Sequence, residues 1–169
     1  MTVTHASPRE TRIIATPEQM HELGIELAGQ LRAGDVVVLT GPLGAGKTTL
    51  TRGIGEALHV RGPVTSPTFV LARTHPSLDG GAPLVHVDAY RLSNALELDD
   101  LDIDFARSIT VVEWGRGLVE SLTDSWLDIE IERPQGASDN VDDDGADHGE
   151  GEIEPRTITI TGHGPRWAS

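Results

Sequence analysis

The spacing of apolar residues predicts an amphipathic helix near the start of the chain. Apolar side chains recur every three or four positions, at Met20, Leu23, Leu27 and Leu31. This period places them on one face of a helix that packs on a core. Thr16 suits the N-cap, Pro17 the first helical position and Gln19 the capping-box position. Gly34 is the expected stop.

A continuous apolar run from Asp35 to Thr40 predicts a strand of a different kind. Such a run is typical of a parallel strand that is buried on both faces. A glycine-rich turn follows, and then a helix from Lys47 to about Leu58, which together open an α/β unit. Weaker patterns predict further strands at Thr11–Ala15, Thr68–Arg73, Leu84–Val87 and Ile109–Glu113, and a short helix near Ala95–Leu101.

The last part of the chain alternates apolar and polar residues. This pattern occurs in Trp126–Glu132 and Thr157–Thr161. It predicts antiparallel strands that have one face exposed to solvent. The stretch 135–155 between them holds eight acids and no Lys or Arg. We interpret it as an acidic loop inserted in a hairpin.

Composition and charge narrow the class of protein. The 169 residues carry a net charge of −14, of which the segment 135–155 holds more than half. We predict one domain over 1–169, with a flexible tail at 1–10. The absence of cysteine excludes disulfides and cysteine-ligated metals. No apolar leader opens the chain, which favours a cytoplasmic protein, and the acidic charge disfavours direct nucleic-acid binding.

The glycine-rich turn Gly41–Thr48 matches the phosphate-loop pattern G-x-x-x-x-G-K-[ST]. Its glycines allow successive N–H groups to surround a phosphate, at the positive end of the following helix. Lys47 is placed to reach the phosphates, and the Thr48 hydroxyl to bind Mg²⁺. We predict nucleotide contacts at Gly41, Leu43, Gly44, Ala45, Gly46, Lys47, Thr48, Thr49 and Trp114.

With this motif, the fold class is predicted as α/β. The sequence indicates a P-loop NTPase-like three-layer fold, in which a mixed sheet has parallel core strands and antiparallel C-terminal strands. Of the 13 basic residues, 12 are arginine and Lys47 is the sole lysine. Guanine reading by an N/T-K-x-D motif needs a second lysine, so that mode is excluded and ATP is favoured.

Two predicted strands end in an acid, at Asp88 and at Glu113. Because ligands bind at the carboxyl ends of parallel strands, we expect these carboxylates to serve Mg²⁺ and hydrolysis. Trp114 is interpreted either as a rim anchor or as a border of the nucleotide. His86 lies within a strand and is interpreted as a packed histidine and not as a ligand.

The residue pattern of 64–69 predicts a polar turn that leads into a strand. Its hydroxyls, at Ser66 and Thr68, are also placed to sense a terminal phosphate as a switch segment does.

Four motifs in order resemble one family. They are GPLGAGKTTL (41–50), SPTF (66–69), HVDAYRL (86–92) and VVEWG (111–115). The set is similar to TsaE, a family of small P-loop ATPases in bacterial tRNA threonylcarbamoyladenosine (t6A) biosynthesis, and the similarity runs from about Thr11 to Thr161. The last three motifs are more specific than the phosphate loop.

The resemblance implies a weak Mg²⁺-dependent ATPase that works with a TsaB–TsaD complex and touches tRNA only indirectly. It implies that Lys47 holds phosphates, that Thr48 and Glu113 serve Mg²⁺, and that Asp88 serves Mg²⁺ and hydrolysis. Ser66 and Thr68 fall on the switch-like segment. Tyr90 and Arg91 then serve structure or the partner surface.

Two segments depart from the family pattern, and two other functions stay open. The acidic insertion 135–155 is not part of it, and Gly115-Arg116-Gly117 predicts a flexible connection where some relatives have proline. A small-molecule P-loop kinase is the alternative function, although the scattered arginines do not form the phosphate-binding lid typical of such kinases. A nucleotide-gated binding module without useful hydrolysis is the third.

Overall fold

A seven-stranded mixed sheet lies between helical layers in the computed structural model. The structure describes residues 9–42, 44–62, 64, 72–90, 92–133 and 155–167. The strands are β1 (Arg9–Ile14), β2 (Val36–Thr40), β3 (Ala72–His75), β4 (Leu84–Asp88), β5 (Ile109–Glu113), β6 (Trp126–Glu132) and β7 (Arg156–His163). The helices are α1 (Pro17–Ala28), α2 (Lys47–Ala57) and α3 (Ala95–Asp99), with a 3₁₀ turn at Val119–Ser121.

The strand order β1-β7-β6-β2-β5-β4-β3 places β2 at the centre. β2 is parallel to β5 and β6, and β4 is parallel to β5. β7 is antiparallel to both β6 and β1, and β3 is antiparallel to β4. The predicted mixed sheet is therefore confirmed. The prediction for β6 was incomplete, because this strand is antiparallel on one edge and parallel on the other.

The core has one apolar cluster on each face of the sheet. On one face, Val37 and Leu39 of β2 pack with residues of α1 and α2 such as Leu27 and Ile54. On the other face, Val36 and Val38 pack with residues of α3 and the 3₁₀ turn. Since every residue of the run Val36–Leu39 is fully buried, the continuous hydrophobic pattern reflects burial on both faces.

The helix α1 begins as predicted but ends earlier. The Thr16 side chain accepts a hydrogen bond from the Gln19 N–H, and the Gln19 side chain accepts one from the Ala15 N–H. The prediction of an end at Gly34 was wrong, because α1 ends at Ala28. The Asp35 carboxylate accepts the Arg32 N–H and stabilises a turn there, although Leu31 is still buried.

The ends of the predicted strands also differ from the structure. β1 includes Arg9 and Glu10, so the predicted tail 1–10 is too long at its end. Cross-strand bonds to β7 order these two residues, and tail composition does not reveal such bonds. β3 extends to His75, beyond the predicted end at Arg73. The insertion 135–155 lies outside the described residues except for Pro155. Among the described residues, no helix is both long and apolar enough to span a membrane.

The helices α1 and α2 touch backbone to backbone. A Cβ atom on Gly24 would lie 2.2 Å from the Leu50 carbonyl oxygen, and one on Gly53 would lie 2.2 Å from the His21 carbonyl oxygen. Only glycine permits this approach. The contact matters for the site because α2 begins at the end of the phosphate loop.

We predict that Gly24→Ala lowers the free energy of unfolding by about 1–3 kcal/mol, because the new methyl group must push α1 away from α2. Urea unfolding gives the free energy. Gly29→Ala is the matched control, since Gly29 follows α1 with a helical φ of −65° and its nearest neighbour would be 3.4 Å away. Equal stabilities of the two variants would contradict the close approach.

Candidate nucleotide site

The phosphate loop connects the central strand β2 to α2. Gly44 and Gly46 have φ angles of +82° and +114°, in the region that favours glycine. Gly46 is the N-cap of α2, and no side chain caps that helix. A helix begun in this way leaves backbone N–H groups for an anion. The loop therefore has the backbone of an anion site.

Lys47 is held inside this loop. Its ammonium donates to the carbonyl oxygens of Gly41 and Pro42, at 2.5 and 3.3 Å. The side chain is buried, which lowers the pKa of the ammonium, while the negative charges of Glu113 and Asp88 act in the opposite direction. Burial and the two carboxylates therefore act on the Lys47 pKa in opposite directions, and its role in phosphate binding stays a prediction.

The two predicted acids are cross-strand neighbours. Asp88 and Glu113 are register partners at the ends of β4 and β5. Glu113 is buried, whereas Asp88 is partly exposed and accepts a hydrogen bond from the Tyr90 N–H at 3.0 Å. The structure therefore brings together the buried lysine, one buried carboxylate and one accessible carboxylate.

His86 is a part of the site that the sequence analysis missed. It is fully buried, as predicted, but its Nε2 lies 2.7 Å from Glu113 Oε2. The Nδ1 atom has no hydrogen-bond partner among the described residues. With Glu113 ionised, Nε2 is the donor in this pair. His86 therefore orients the Glu113 carboxylate. The alternation that places His86 and Asp88 on one face was the available signal.

Trp114 closes one side of the site with a strained backbone. Its φ angle is +63°, which is rare for a bulky residue. The ring lies 4.9 Å from the Lys47 ammonium and packs edge-on against Tyr90 at 5.6 Å. The backbone N–H of Trp114 donates to the Leu39 carbonyl oxygen at 2.8 Å, which fixes the Trp114 backbone beside β2. The ring thus borders the Lys47 ammonium, and a contact of Trp114 with a nucleotide stays a prediction.

The segment after Trp114 is anchored. The Arg116 guanidinium donates to both carboxylate oxygens of Asp128 on β6, at 3.0 and 3.1 Å. A Cβ atom on Gly115 would lie 2.6 Å from Val112 Cγ1. The prediction of a flexible Gly115-Arg116-Gly117 connection therefore missed this ion pair between the turn and β6.

The remaining predicted residues divide into two groups. Gly41, Gly44, Ala45, Gly46, Thr48 and Thr49 all lie in the loop or in the first turn of α2. Leu43, Ser66, Thr68 and Arg91 lie outside the described residues, so their assignments stay predictions.

The β6–β7 hairpin supplies a second missed feature. Arg156 at the start of β7 donates to the carbonyl oxygens of Gly44 and Ala45. More than a hundred residues separate the two partners in sequence, and no local pattern marks the contact.

Comparison with known proteins gives a consistent result. The profile of the family described as "Threonylcarbamoyl adenosine biosynthesis protein TsaE" matches residues 14–141. A Streptomyces coelicolor protein named "tRNA threonylcarbamoyladenosine biosynthesis protein TsaE" is 58% identical, over 89% of this chain and 95% of its own length. Proteins of the same name are 52% identical in Mycobacterium tuberculosis, over 73% of this chain and 79% of theirs, and 38% in Bacillus subtilis, over 69% and 73%.

The fold has a counterpart among solved structures. The crystal structure of Bacillus subtilis YdiB aligns with a TM-score of 0.70 and 29% identity, over 97% of this chain and 92% of that one. The family profile and the YdiB structure thus each match most of the chain.

We predict that His86→Ala lowers the free energy of unfolding by about 2–4 kcal/mol. It leaves a cavity and removes the imidazole partner of a buried carboxylate. Urea unfolding is the measurement. His59→Ala is the control, because His59 pairs with Asp79 at a similar distance of 3.0 Å but on the surface, where little change is expected. Equal losses would show that the burial of the His86 pair has no energetic consequence.

Proposed function

The chain belongs to the TsaE family of threonylcarbamoyl adenosine biosynthesis proteins, and from this premise we propose that it is the ATP-binding and ATP-hydrolysing subunit of that tRNA modification. One observation carries the proposal: the buried Lys47 lies in a phosphate loop beside the pair Asp88 and Glu113, and no side chain caps the helix α2 that follows the loop. A buried lysine in such a loop suits a phosphate chain, and the two carboxylates suit the metal ion bound to it.

The loop fits the phosphates of a nucleotide. Gly44 and Gly46 adopt the left-handed backbone of an anion nest, and the N-terminus of α2 adds its dipole. The Lys47 ammonium is bound to two loop carbonyls, and it is placed to exchange these for phosphate oxygens. The proposed nucleotide contacts remain the predicted loop residues and Trp114.

The acids fit Mg²⁺. Phosphates beside two carboxylates repel each other unless a divalent cation lies between them. Thr48 at the first turn of α2 would supply its hydroxyl, and Glu113 and Asp88 would supply carboxylates to the ion or to its water. Bound Mg²⁺ would neutralise charge that develops on the phosphates.

The residues of the chain then divide the work. Lys47 binds the phosphates, His86 holds the Glu113 carboxylate in one orientation, and Asp88, which is more exposed, orients the attacking water. Trp114 shields the Lys47 side of the site from solvent. Ser66 and Thr68 stay proposed switch residues.

The partner in this proposal is a TsaB–TsaD-like complex. The net charge of −14 disfavours direct contact with tRNA phosphates, so other subunits would hold the tRNA. The tRNA substrate would place the reaction in the cytoplasm. A hydrolase whose activity rises on assembly would couple ATP consumption to this modification.

We predict that Lys47→Ala weakens ATP binding by at least about tenfold, because one charge-assisted phosphate contact is lost. Isothermal titration calorimetry with Mg²⁺-ATP measures the affinity. Arg107→Ala is the control, since that guanidinium is 86% exposed. A loss within about threefold, or ~0.7 kcal/mol, would contradict the assignment of the loop.

We predict that ATP hydrolysis is slow for the isolated protein and rises when the TsaB–TsaD pair of the same genome is added. Asp88→Asn and Glu113→Gln are expected to abolish the increase while they preserve side-chain size. Phosphate release is measured with each protein alone and in combination.

Two results would overturn this assignment. If the TsaB–TsaD pair does not stimulate hydrolysis and a deletion strain has normal t6A, the proposed partnership is wrong. Phosphate transfer to a nucleoside or sugar in a substrate panel would instead favour a small-molecule kinase.

A further inference from the structure

Arg156 joins the C-terminal hairpin to the phosphate loop. Its Nε donates to the Ala45 carbonyl oxygen at 3.1 Å, and its Nη2 donates to the Gly44 carbonyl oxygen at 3.0 Å. The backbone of Arg156 is itself held by β1, in register with Ile14. The guanidinium is thus a fixed point against which two successive peptide groups of the loop are held.

These two bonds determine where a loop N–H points. In a trans peptide the N–H and the C=O point in opposite directions. Since the Ala45 carbonyl points to Arg156, the N–H of Gly46 must point to the other side of the loop. The Ala45 N–H is already donated to the Pro42 carbonyl oxygen at 3.0 Å. The Gly46 N–H, at the N-cap of α2, is therefore the group whose direction depends on Arg156.

The loop needs such a restraint because glycine lies on both sides of Ala45. Gly44 and Gly46 have φ angles of +82° and +114°, and glycine also populates other backbone conformations at little cost. Rotation of the Ala45–Gly46 peptide would turn a carbonyl oxygen toward the anion. An arginine fork that binds two adjacent carbonyls in a fixed planar geometry opposes this rotation, whereas the compact ammonium of a lysine imposes no such geometry.

A second guanidinium approaches the same loop from the other strand of the hairpin. Arg133, directly after β6, has its Nη1 atom 3.8 Å from the point that a Cβ on Gly44 would occupy. Both strands of the β6–β7 hairpin therefore place positive charge beside the loop, on the β6 side of β2. The acids Asp88 and Glu113 lie on the β5 side.

We propose that Arg156 is a positioning residue for the phosphate site, which holds the Ala45–Gly46 peptide so that the Gly46 N–H faces the phosphates. This inference rests on the proposed nucleotide function. In this role Arg156 acts through the loop, so its effect must reach every ligand that uses the loop, with or without a base.

The test measures binding of ADP and of pyrophosphate, each with Mg²⁺, by isothermal titration calorimetry. Arg156→Gln is expected to weaken both ligands by at least about tenfold, because two charge-assisted bonds to the loop are lost. The Gly46 amide resonance of the ligand-free protein, followed by ¹⁵N NMR, is expected to shift. Arg107→Gln removes the same charge at an exposed position and should change neither ligand.

The outcomes separate the inference from the function on which it rests. If the unaltered protein binds neither ligand, the proposed function and the inference both fail. If it binds them and Arg156→Gln binds equally well, only the inference fails. If ADP weakens and pyrophosphate does not, Arg156 contacts the nucleoside and the positioning role is wrong.

Arg156→Lys decides the case in which the glutamine variant does not fold. Lysine keeps the charge but lacks the planar fork that holds both carbonyls in one geometry, so both ligands should weaken by at least about threefold. Affinities equal to those of the unaltered protein would show that charge alone suffices, which would overturn the inference.

Discussion

The parallel pairing of β2 with β5 and of β5 with β4 is the constraint on which the site depends. The carboxyl ends of parallel strands share one edge of a sheet. The register aligns Leu39 with Glu113, and Glu113 with Asp88, so the loop that follows β2 opens beside both acids. A shift of one residue would turn the Glu113 side chain to the opposite face.

This edge concentrates charge in a small volume. The Lys47 ammonium, whose pKa burial lowers, is surrounded by two backbone carbonyls, the Trp114 ring and two nearby carboxylates. The Glu113 carboxylate is itself held by a buried imidazole. Within the proposed function, the two carboxylates oppose the effect of burial on the Lys47 pKa, and a divalent cation would be necessary when phosphates enter.

Local signals predicted several elements because the forces that form them are local. Thr16 caps α1 through a bond to a residue three positions away, and α2 begins at Lys47 where the glycines end. The end of α1 was misplaced because Asp35 stabilises a turn that competes with the apolar period. The contact of His86 with Glu113 and the contact of Arg156 with the loop were missed, since both join residues far apart in sequence.

By itself the sequence determined the phosphate loop, its lysine and the two strands that end in an acid. Each of these depends on residue types within a few positions of one another, where backbone conformation and short spacings govern the outcome. Only the tertiary structure decided that β6 pairs with β2 as well as with β7, that His86 contacts Glu113, and that Arg156 contacts the loop. The physical reason is that strand order and register follow from the packing of the whole core on both faces of the sheet, which no local spacing encodes.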